Sequence, residues 1–403
     1  MECSLYIHVP FCSSKCDYCD FYSIPLASIP ASGIEPMLNR YIDRALADAG
    51  SAMDCFRPEY VPTVYIGGGT PSALGAGRIR RLLNGLRPLL PLEKAPVEIT
   101  VEVNPETADE DLLYACLDCG VNRISMGIQT FHEPSRSAVH RSGMLSAALE
   151  ERLGLVSRIF PENFSVDLIS GLPLQTEEIL FNDIERVLAF NPGHISLYAL
   201  TLEEGTVLER RLLHKHGRGS AAAPAMPGAD EADALWLSGR GRIISAGYEQ
   251  YEVSNFSLNG KRSLHNIRYW RLQNWLGIGP GASSTIFDEN NGSASRRTIP
   301  AGLETWLAGN CGEEEFIDTR TLMKETLLMG FRYVEGPDPE RFRARFGISI
   351  EETVPQTLKQ WRGIGLMAEN RIALNPDGLL LLNRFLIDAF GEVDGLRDGQ
   401  TQR

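Results

Sequence analysis

Six short apolar runs, separated by longer segments of helical character, restrict the fold of this chain more than any other feature. Strands that alternate with helix-length segments predict βαβ units around a parallel sheet. Six such units are too few to close an eight-stranded barrel but enough for an open one. We therefore predict an α/β fold built on a partial, TIM-like (βα)6 barrel. Its predicted strands are Leu5–Val9, Thr63–Ile66, Glu98–Val103, Arg123–Ile128, Phe164–Ile169 and His194–Leu200.

Residues with useful chemistry lie where these strands end. In barrels of this kind, the active site is formed by the loops after the carboxyl ends of the strands. A cysteine-rich segment follows the first predicted strand, glycines 67–69 follow the second, and Glu102 lies at the end of the third. Gln129, Asp167 and Ala199 lie at or near the ends of the fourth, fifth and sixth strands. We expect all of these features on one rim of the barrel.

Cys12, Cys16 and Cys19 form a Cys-x-x-x-Cys-x-x-Cys motif directly after the first strand. An iron–sulfur cluster normally takes four thiolates, so three cysteines leave one iron of a four-iron cluster without a protein ligand. An open coordination position is typical of a catalytic metal site. The alternatives are buried structural cysteines or a zinc site, but zinc sites usually pair two cysteines with a distant second pair or with histidines. The motif therefore favours an iron–sulfur cluster.

A second Cys-x-x-Cys pair, Cys116 and Cys119, has a different context. It lies in a predicted amphipathic helix that ends at Gly120. Free cysteine is commonly a buried core residue. We therefore interpret this pair as part of a helix and not as metal ligands.

Composition excludes several classes of function. The formal net charge is −13, which argues against a large nucleic-acid or anionic-membrane interface. No apolar run approaches the about 20 residues that a membrane helix needs, and the first residues lack a signal-peptide pattern. Eight cysteines in 403 residues do not make a disulfide scaffold and suit a reducing compartment. We expect a cytoplasmic protein with no membrane span and no nucleic-acid partner.

The C-terminal part changes character after a composition break at residues 214–230, which predicts a loop before a helix beginning near Glu231. Further on, three helical runs precede a hairpin, with its turn near 375–378, and a last helix. This pattern predicts a C-terminal helical, winged-helix-like domain. Residues 319–390 hold ten Lys or Arg against nine Asp or Glu, so no basic face for DNA is expected. The three helical runs are Thr321–Arg332, Asp338–Phe346 and Glu352–Leu366.

Glycines 67–69 lie in the run Ile66-Gly-Gly-Gly-Thr-Pro-Ser72. A glycine run alone can be no more than a tight turn. After the second strand, however, it would bring bare backbone against whatever occupies the open iron, and peptide groups can bind an ammonium or a carboxylate. The glycine run and the cysteine motif together are a stronger signal than either alone.

Together these motifs resemble the radical S-adenosylmethionine superfamily over nearly the whole chain. Within it, the chain resembles the branch that contains oxygen-independent coproporphyrinogen III oxidase and the HemW-type haem chaperones. The matching runs are Tyr-Ile-His-Val-Pro-Phe-Cys, Gly-Gly-Gly-Thr-Pro-Ser, Val-Glu-Val-Asn-Pro, Ser-Met-Gly-Ile-Gln-Thr-Phe, His-Arg, Val-Asp-Leu-Ile-Ser-Gly-Leu-Pro and Leu-Tyr-Ala-Leu.

The resemblance implies two cofactors at the rim. A [4Fe–4S] cluster on the three cysteines would bind S-adenosylmethionine at its open iron, and an electron from the cluster would cleave the sulfonium to methionine and a 5′-deoxyadenosyl radical. Glu102 or Asp167 can bind ribose hydroxyls and Arg141 can pair with the methionine carboxylate, although a structural hydrogen bond is the alternative for each. Carried over residue by residue, the S-adenosylmethionine contacts are Tyr6, Tyr18, Gly68, Gly69, Thr70, Glu102, Gln129, Arg141, Asp167 and Ala199.

Three observations favour the chaperone branch over the oxidase. The oxidase pattern has a further cysteine where this chain has Phe21, and it carries an N-terminal extension where this chain has eleven residues before Cys12. The run His265-Asn-Ile-Arg-Tyr-Trp270 matches a motif of the chaperone branch. Since imidazole is a standard axial ligand of haem iron, His265 is a candidate haem ligand. The alternative is a histidine that braces a packed aromatic corner.

The resemblance therefore implies a haem chaperone that delivers haem to apo-haemoproteins, with an electron donor as a further partner and a homodimer as a possible assembly. The alternative is oxidative decarboxylation of coproporphyrinogen III, and an unrelated alternative is a zinc-stabilised interaction protein. No catalytic residue is assigned. Ser283 stands where relatives commonly have histidine. We expect residues 1–235 to form the barrel core, 236–310 to complete it and carry the haem motif, and 311–403 to form the C-terminal domain.

Overall fold

The computed structural model describes residues 1–91, 97–141, 143–213 and 224–396, and a large mixed sheet is its main element. The strands within these residues are β1 (Ser4–Val9), β2 (Phe11–Cys12), β3 (Ile24–Pro25), β4 (Thr63–Gly68), β5 (Glu98–Val103), β6 (Arg123–Gln129), β7 (Phe164–Ser170), β8 (His194–Ala199), β9 (Glu249–Gln250), β10 (Asn255–Ser257), β11 (Trp275–Ile278), β12 (Ser283–Asp288), β13 (Ser293–Thr298) and β14 (Glu313–Ile317).

Helices cover the outer side of this sheet and form most of the C-terminal part. The α-helices in the same residues are α1 (Ala31–Phe56), α2 (Ala76–Leu86), α3 (Glu110–Asp118), α4 (Glu133–Ala138), α5 (Ser146–Ile159), α6 (Glu177–Leu188), α7 (Val207–Leu213), α8 (Ala229–Ser245), α9 (Leu264–Trp270), α10 (Leu303–Leu307), α11 (Thr319–Arg332), α12 (Pro339–Phe346), α13 (Ile350–Thr353), α14 (Pro355–Gly363), α15 (Pro376–Leu380) and α16 (Leu382–Asp394). Short 3-10 helices cover Leu26–Ser28, Pro71–Leu74 and Arg87–Leu89.

The six predicted strands form the continuous parallel run β1-β4-β5-β6-β7-β8. On one side β11 extends this run parallel to β1, and β12, β13 and β14 follow antiparallel. On the other side β10 and β9 pair antiparallel beyond β8. In the part of the chain that is described, the sheet has twelve strands and does not close on itself. The prediction of a partial α/β barrel is confirmed.

The two faces of the parallel strands differ in polarity because successive side chains of a strand alternate between faces. Along β1, Leu5, Ile7 and Val9 are fully buried in the core between sheet and helices. Tyr6 and His8 alternate with them and face the inside of the barrel, where their side chains are hydrogen-bonded to each other. The inside of the barrel is therefore polar, which suits a ligand site better than a packed apolar interior does.

The C-terminal helices enclose a second hydrophobic core. It is centred on α11, α14 and α16, and it also takes in Trp275 and Phe287 from the middle region of the chain. The expected boundary at residue 235 falls inside α8, so the division into three segments stays a prediction. Helix α8 begins at Ala229, near the expected Glu231, whereas residues 214–223 of the predicted loop lie outside the described residues. No helix in the described ranges has the length and apolarity needed to cross a membrane.

Two expectations for the C-terminal part need correction. The helix expected over Glu352–Leu366 is divided into α13 and α14, because Pro355 has no amide hydrogen to continue a helix. The hairpin turn expected at 375–378 is wrong. Asn375 accepts a hydrogen bond from the Gly378 amide at 2.8 Å and so caps α15. An antiparallel bridge between Met367 and Leu374 stands in place of a longer hairpin.

Replacing Asn375 with alanine tests this correction. Asn375→Ala should lower the free energy of unfolding by about 1 kcal/mol, because it leaves the amino terminus of α15 without its cap. Chemical denaturation followed by circular dichroism measures the change. Asn370→Ala, at an exposed position on the preceding loop, is the matched control and should unfold like the unmodified protein. Equal stability of the two variants would contradict the capping role.

Candidate functional site

The three cysteines lie on the segment that follows β1. Cys12 belongs to the short strand β2, and the amide of Cys19 donates to the Cys16 carbonyl at 3.2 Å, which closes a turn between them. Each of two thiols receives a hydrogen bond from another loop: Thr70 Oγ1 lies 3.4 Å from Cys12 Sγ, and Arg141 Nη1 lies 3.5 Å from Cys16 Sγ. The cysteine segment is therefore in contact with the loops after β4 and β6.

The chemistry of these thiols fits an iron–sulfur cluster. Burial raises the pKa of Cys12, and burial raises the pKa of Cys19 to about 11, so metal binding would have to displace protons. Across the described residues, no three Cys, His, Asp or Glu side chains are grouped as ligands of a single metal ion. In a four-iron cluster each thiolate binds a different iron, so the cysteines need not meet at one point. The donor set fits a cluster better than a zinc ion.

Asp17, between two of the cysteines, ties this segment to the rest of the rim. Its side chain is only 4% exposed and is hydrogen-bonded to His140 Nδ1 at 2.8 Å and to the Arg211 guanidinium. Its backbone accepts from the Leu208 amide at 2.8 Å and donates to the Val139 carbonyl at 3.0 Å. The cysteine segment is thus fixed to α7 and to the loop after α4. Sequence reasoning missed Asp17 and Arg211, although an acidic residue inside a cysteine motif was a usable signal.

The glycine run makes room for the protein's own groups. A Cβ at Gly67 would lie 2.7 Å from the Tyr65 ring and 2.9 Å from the Glu102 carboxyl group. Gly68 has a φ of +109°, and a Cβ there would meet the His8 ring at 2.5 Å. A Cβ at Gly69 would lie 2.8 Å from the Phe11 carbonyl oxygen of the cysteine segment. The expectation of bare backbone facing a ligand is therefore incomplete, since much of the space freed by these glycines is filled by neighbouring residues.

Two carboxyl groups face the inside of the barrel near the rim. Glu102 accepts hydrogen bonds from the Tyr65 hydroxyl at 2.7 Å and the Gly68 amide at 3.1 Å. Burial raises the pKa of Glu102 to about 7, and it also raises the pKa of Asp167. Asp167 accepts from Ser125 Oγ at 3.3 Å. Hydroxyl groups of a ligand that donated to these carboxylates would favour their charged forms.

Gln129 carries the clearest sign of a ligand-binding role. It has a φ of +69°, and the pairing of β6 with β7 shifts register between Gly127 and Gln129. Such irregularities concentrate at functional sites because they redirect a side chain. The Oε1 atom of Gln129 is buried and has no hydrogen-bond partner, while Arg141 beside it donates to the Gly127 carbonyl. A buried acceptor without a partner fits a ligand that supplies a donor.

The remaining predicted contacts surround the same region. The hydroxyl of Tyr6, in the middle of β1, is hydrogen-bonded to His8 Nδ1 at 3.0 Å. Tyr18 packs against a small apolar cluster that includes Val139 and Leu208. Ala199 is exposed at the end of β8. Tyr6 and Asp167 thus lie in the middle of β1 and β7, and the other predicted S-adenosylmethionine residues lie at the carboxyl ends of the parallel strands or in the loops beside them. Their role as contacts stays a prediction.

His265 lies elsewhere. It belongs to α9, is 2% exposed, and its ring nitrogens are hydrogen-bonded to Thr63 Oγ1 at 2.8 Å and to the Tyr269 hydroxyl at 3.2 Å. Burial lowers the pKa of His265 to about 3, so the ring is neutral. Because Thr63 begins β4, His265 is at the amino ends of the strands, opposite the cysteines.

Four further positions singled out in the sequence have ordinary structural environments. Phe21, where the oxidase pattern has a cysteine, is 62% exposed. Ser283 begins β12, and its hydroxyl is hydrogen-bonded to Thr298 Oγ1 at 2.7 Å. Cys116 is fully buried in α3, whereas Cys119 follows the last residue of that helix and is partly exposed. The interpretation as a buried helix residue is confirmed for Cys116 and is wrong for Cys119.

Cysteine substitutions separate ligands from core residues. Replacing Cys12, Cys16 or Cys19 with alanine should abolish cluster assembly, because two thiolates do not hold a four-iron cluster. Iron and sulfide content after anaerobic reconstitution measures this. Cys116→Ala and Cys119→Ala are the controls and should retain full iron. Full iron and sulfide in a Cys16→Ala protein would contradict the assignment.

Replacing Arg211 should destabilise the cysteine segment through its contact with Asp17. Arg211→Gln removes the guanidinium from the buried Asp17 carboxylate, at a cost of about 2 kcal/mol for a hydrogen bond to a charged group. We expect lower iron content and faster loss of the cluster's visible absorbance in air. Arg210→Gln, at the exposed neighbouring position on α7, should behave like the unmodified protein. Indistinguishable cluster lifetimes in the two variants would overturn this role of Arg211.

Comparisons with known proteins identify the family. The profile of the Radical SAM superfamily matches residues 6–187, and that of the HemN C-terminal domain matches residues 317–381. The heme chaperone HemW of Escherichia coli (strain K12) is 35% identical over 95% of this chain and 97% of its own length. The heme chaperone HemW of Lactococcus lactis is 31% identical over 96% of this chain and 97% of its own. The solved structure of coproporphyrinogen III oxidase (HemN) from Escherichia coli has the same fold, with a TM-score of 0.77 at 21% identity, covering 96% of this chain and 90% of that chain. This chain therefore belongs to the radical S-adenosylmethionine superfamily and, within it, to the family of the heme chaperone HemW.

Proposed function

We propose that this protein is a haem chaperone, which binds haem and delivers it to apo-haemoproteins. The observation that carries the proposal is the near full-length correspondence with the heme chaperone HemW of Escherichia coli, at 35% identity. The likeness to the oxidase structure, at 21% identity, concerns the fold alone. The exposed Phe21 supports the chaperone as well, because no thiol is available where the oxidase pattern has one.

Membership of the radical S-adenosylmethionine superfamily implies a [4Fe–4S] cluster and S-adenosylmethionine as cofactors. Cys12, Cys16 and Cys19 would hold the cluster, which supplies an electron when bound. The Arg141 guanidinium, beside Cys16 and the Gly127 carbonyl, offers a cation to a ligand carboxylate.

The other groups at the rim orient the ligand. Gln129 Oε1 offers an unpaired acceptor, and Glu102 and Asp167 offer acceptors for hydroxyl groups. Tyr6, Tyr18, Gly68, Gly69, Thr70 and Ala199 would complete the contacts. The tie between Asp17 and Arg211 would keep the cysteine segment in place while the ligand enters and leaves.

The candidate haem ligand His265 is buried and lies away from the rim. His265 stays a candidate from the sequence, but in this structure both of its ring nitrogens are engaged and its side chain is buried. Coordination of haem iron by His265 would require the ring to lose a hydrogen bond and α9 to leave its position. The electron donor, a homodimer and a cytoplasmic location are likewise proposals that rest on the sequence.

Two parallel assays test the chaperone proposal against the oxidase. Titration of the reconstituted protein with haem should give a saturable change in the Soret band. Anaerobic incubation with coproporphyrinogen III, S-adenosylmethionine and a reductant should give no protoporphyrinogen. Cys12→Ala protein, prepared in the same way, reports contaminating turnover. Protoporphyrinogen formed by the unmodified protein but not by this control would refute the chaperone proposal.

A further inference from the structure

Helix α9 is fastened to the amino ends of the parallel strands. The Glu98 carboxylate, at the start of β5, accepts from the amides of Leu264 at 3.0 Å and His265 at 2.9 Å. His265 Nδ1 is hydrogen-bonded to Thr63 Oγ1 at the start of β4. The helix that carries the His-Asn-x-x-Tyr-Trp motif therefore closes the end of the barrel opposite the cysteine rim, and it does so with its histidine directed inward.

Tyr65 connects this helix to the rim. The rings of His265 and Tyr65 are stacked, with centroids 4.9 Å apart and planes 25° apart. The Tyr65 hydroxyl donates to Glu102 Oε1 at 2.7 Å, and the other Glu102 oxygen accepts from the Gly68 amide. Gly67 is required for this contact, because a Cβ there would collide with both the Tyr65 ring and the Glu102 carboxyl group. One continuous set of contacts thus runs from α9 to the glycine segment.

The same helix is held from its other side by the C-terminal core. The Tyr269 ring packs edge-on against His265, with centroids 4.9 Å apart, and edge-on against Trp275 at the same distance. Trp275 belongs to the second hydrophobic core. The position of the His265 ring therefore depends on contacts with both parts of the molecule.

We propose that Tyr65 and His265 are positioning residues that set the Glu102 carboxyl group for S-adenosylmethionine, with α9 holding the His265 ring in place. The inference rests on the part of the proposed function that places S-adenosylmethionine at the rim. Glu102 has both oxygens engaged by the protein, so its orientation is set before a ligand arrives. His265 then acts through Tyr65 and not as a ligand of haem iron.

Tyr65→Phe is the primary test, since it keeps the stacked ring and removes the hydroxyl that donates to Glu102. Equilibrium dialysis of the reconstituted protein should give roughly ten-fold weaker binding of S-adenosylmethionine, with unchanged iron content. Burial and, to a smaller extent, Asp167 raise the pKa of Glu102, whereas the hydrogen bond from the Tyr65 hydroxyl lowers it. Removing the hydroxyl should therefore raise this pKa, and the loss of S-adenosylmethionine binding at acid pH should begin at a higher pH in Tyr65→Phe. Tyr248→Phe, which removes a buried hydroxyl bonded to the Pro192 carbonyl, should change neither quantity.

His265→Ala separates positioning from haem ligation. The proposal predicts weaker binding of S-adenosylmethionine and an unchanged haem titration. Loss of haem binding in this variant, or unchanged affinity for S-adenosylmethionine in Tyr65→Phe, would overturn it. If His265→Ala does not fold, Tyr65→Phe decides alone. Failure of the unmodified protein to bind haem would refute the proposed chaperone function but would leave the Tyr65→Phe result meaningful.

Discussion

The rim depends on the hydrogen bonds that the buried Asp17 carboxylate accepts. It lies inside the cysteine motif and joins that segment to His140 and Arg211, which come from two other parts of the chain. Loops after parallel strands are not held by the sheet itself, so their relative position needs such ties. On the same rim, Arg141 reaches Cys16 and Thr70 reaches Cys12, and the Thr70 amide also donates to the Phe11 carbonyl at 2.7 Å. The three-cysteine site is therefore a product of contacts between distant segments as much as of the motif.

The polar interior of the barrel links its two ends. Alternation along the strands sends Tyr6, Tyr65 and Glu102 inward, while the apolar residues between them pack against the helices. At one end this interior opens to the cysteine segment, and at the other α9 closes it through His265. A protein built in this way can bind one ligand at the rim and still have its opposite end in contact with a second domain. The His-Asn-x-x-Tyr-Trp motif and the three-cysteine motif thus belong to different ends of the same interior.

The sequence predicted what depends on local pattern. Strand positions followed from apolar runs, and the position of the rim followed from where the parallel strands end. Prediction from sequence failed where one local pattern is compatible with two structures. Asn375 followed by Pro376 is typical both of a turn and of the start of a helix. The helix forms here, with the Asn375 side chain accepting a hydrogen bond from the Gly378 amide. Asp17 itself carried a signal, but its pairing with Arg211 was out of reach because the two residues are 194 positions apart. The placement of His265 was likewise unpredictable, since a motif does not state which end of a barrel its helix covers.

Electron paramagnetic resonance of the reduced, reconstituted protein tests most directly whether the rim is an open iron site for S-adenosylmethionine. Spectra are recorded with and without S-adenosylmethionine at matched iron content. If three cysteines leave one iron open, addition of S-adenosylmethionine should change the g values of the cluster signal. Identical spectra at saturating S-adenosylmethionine would mean that the cluster has no open position, and they would contradict the three-thiolate site described for Cys12, Cys16 and Cys19.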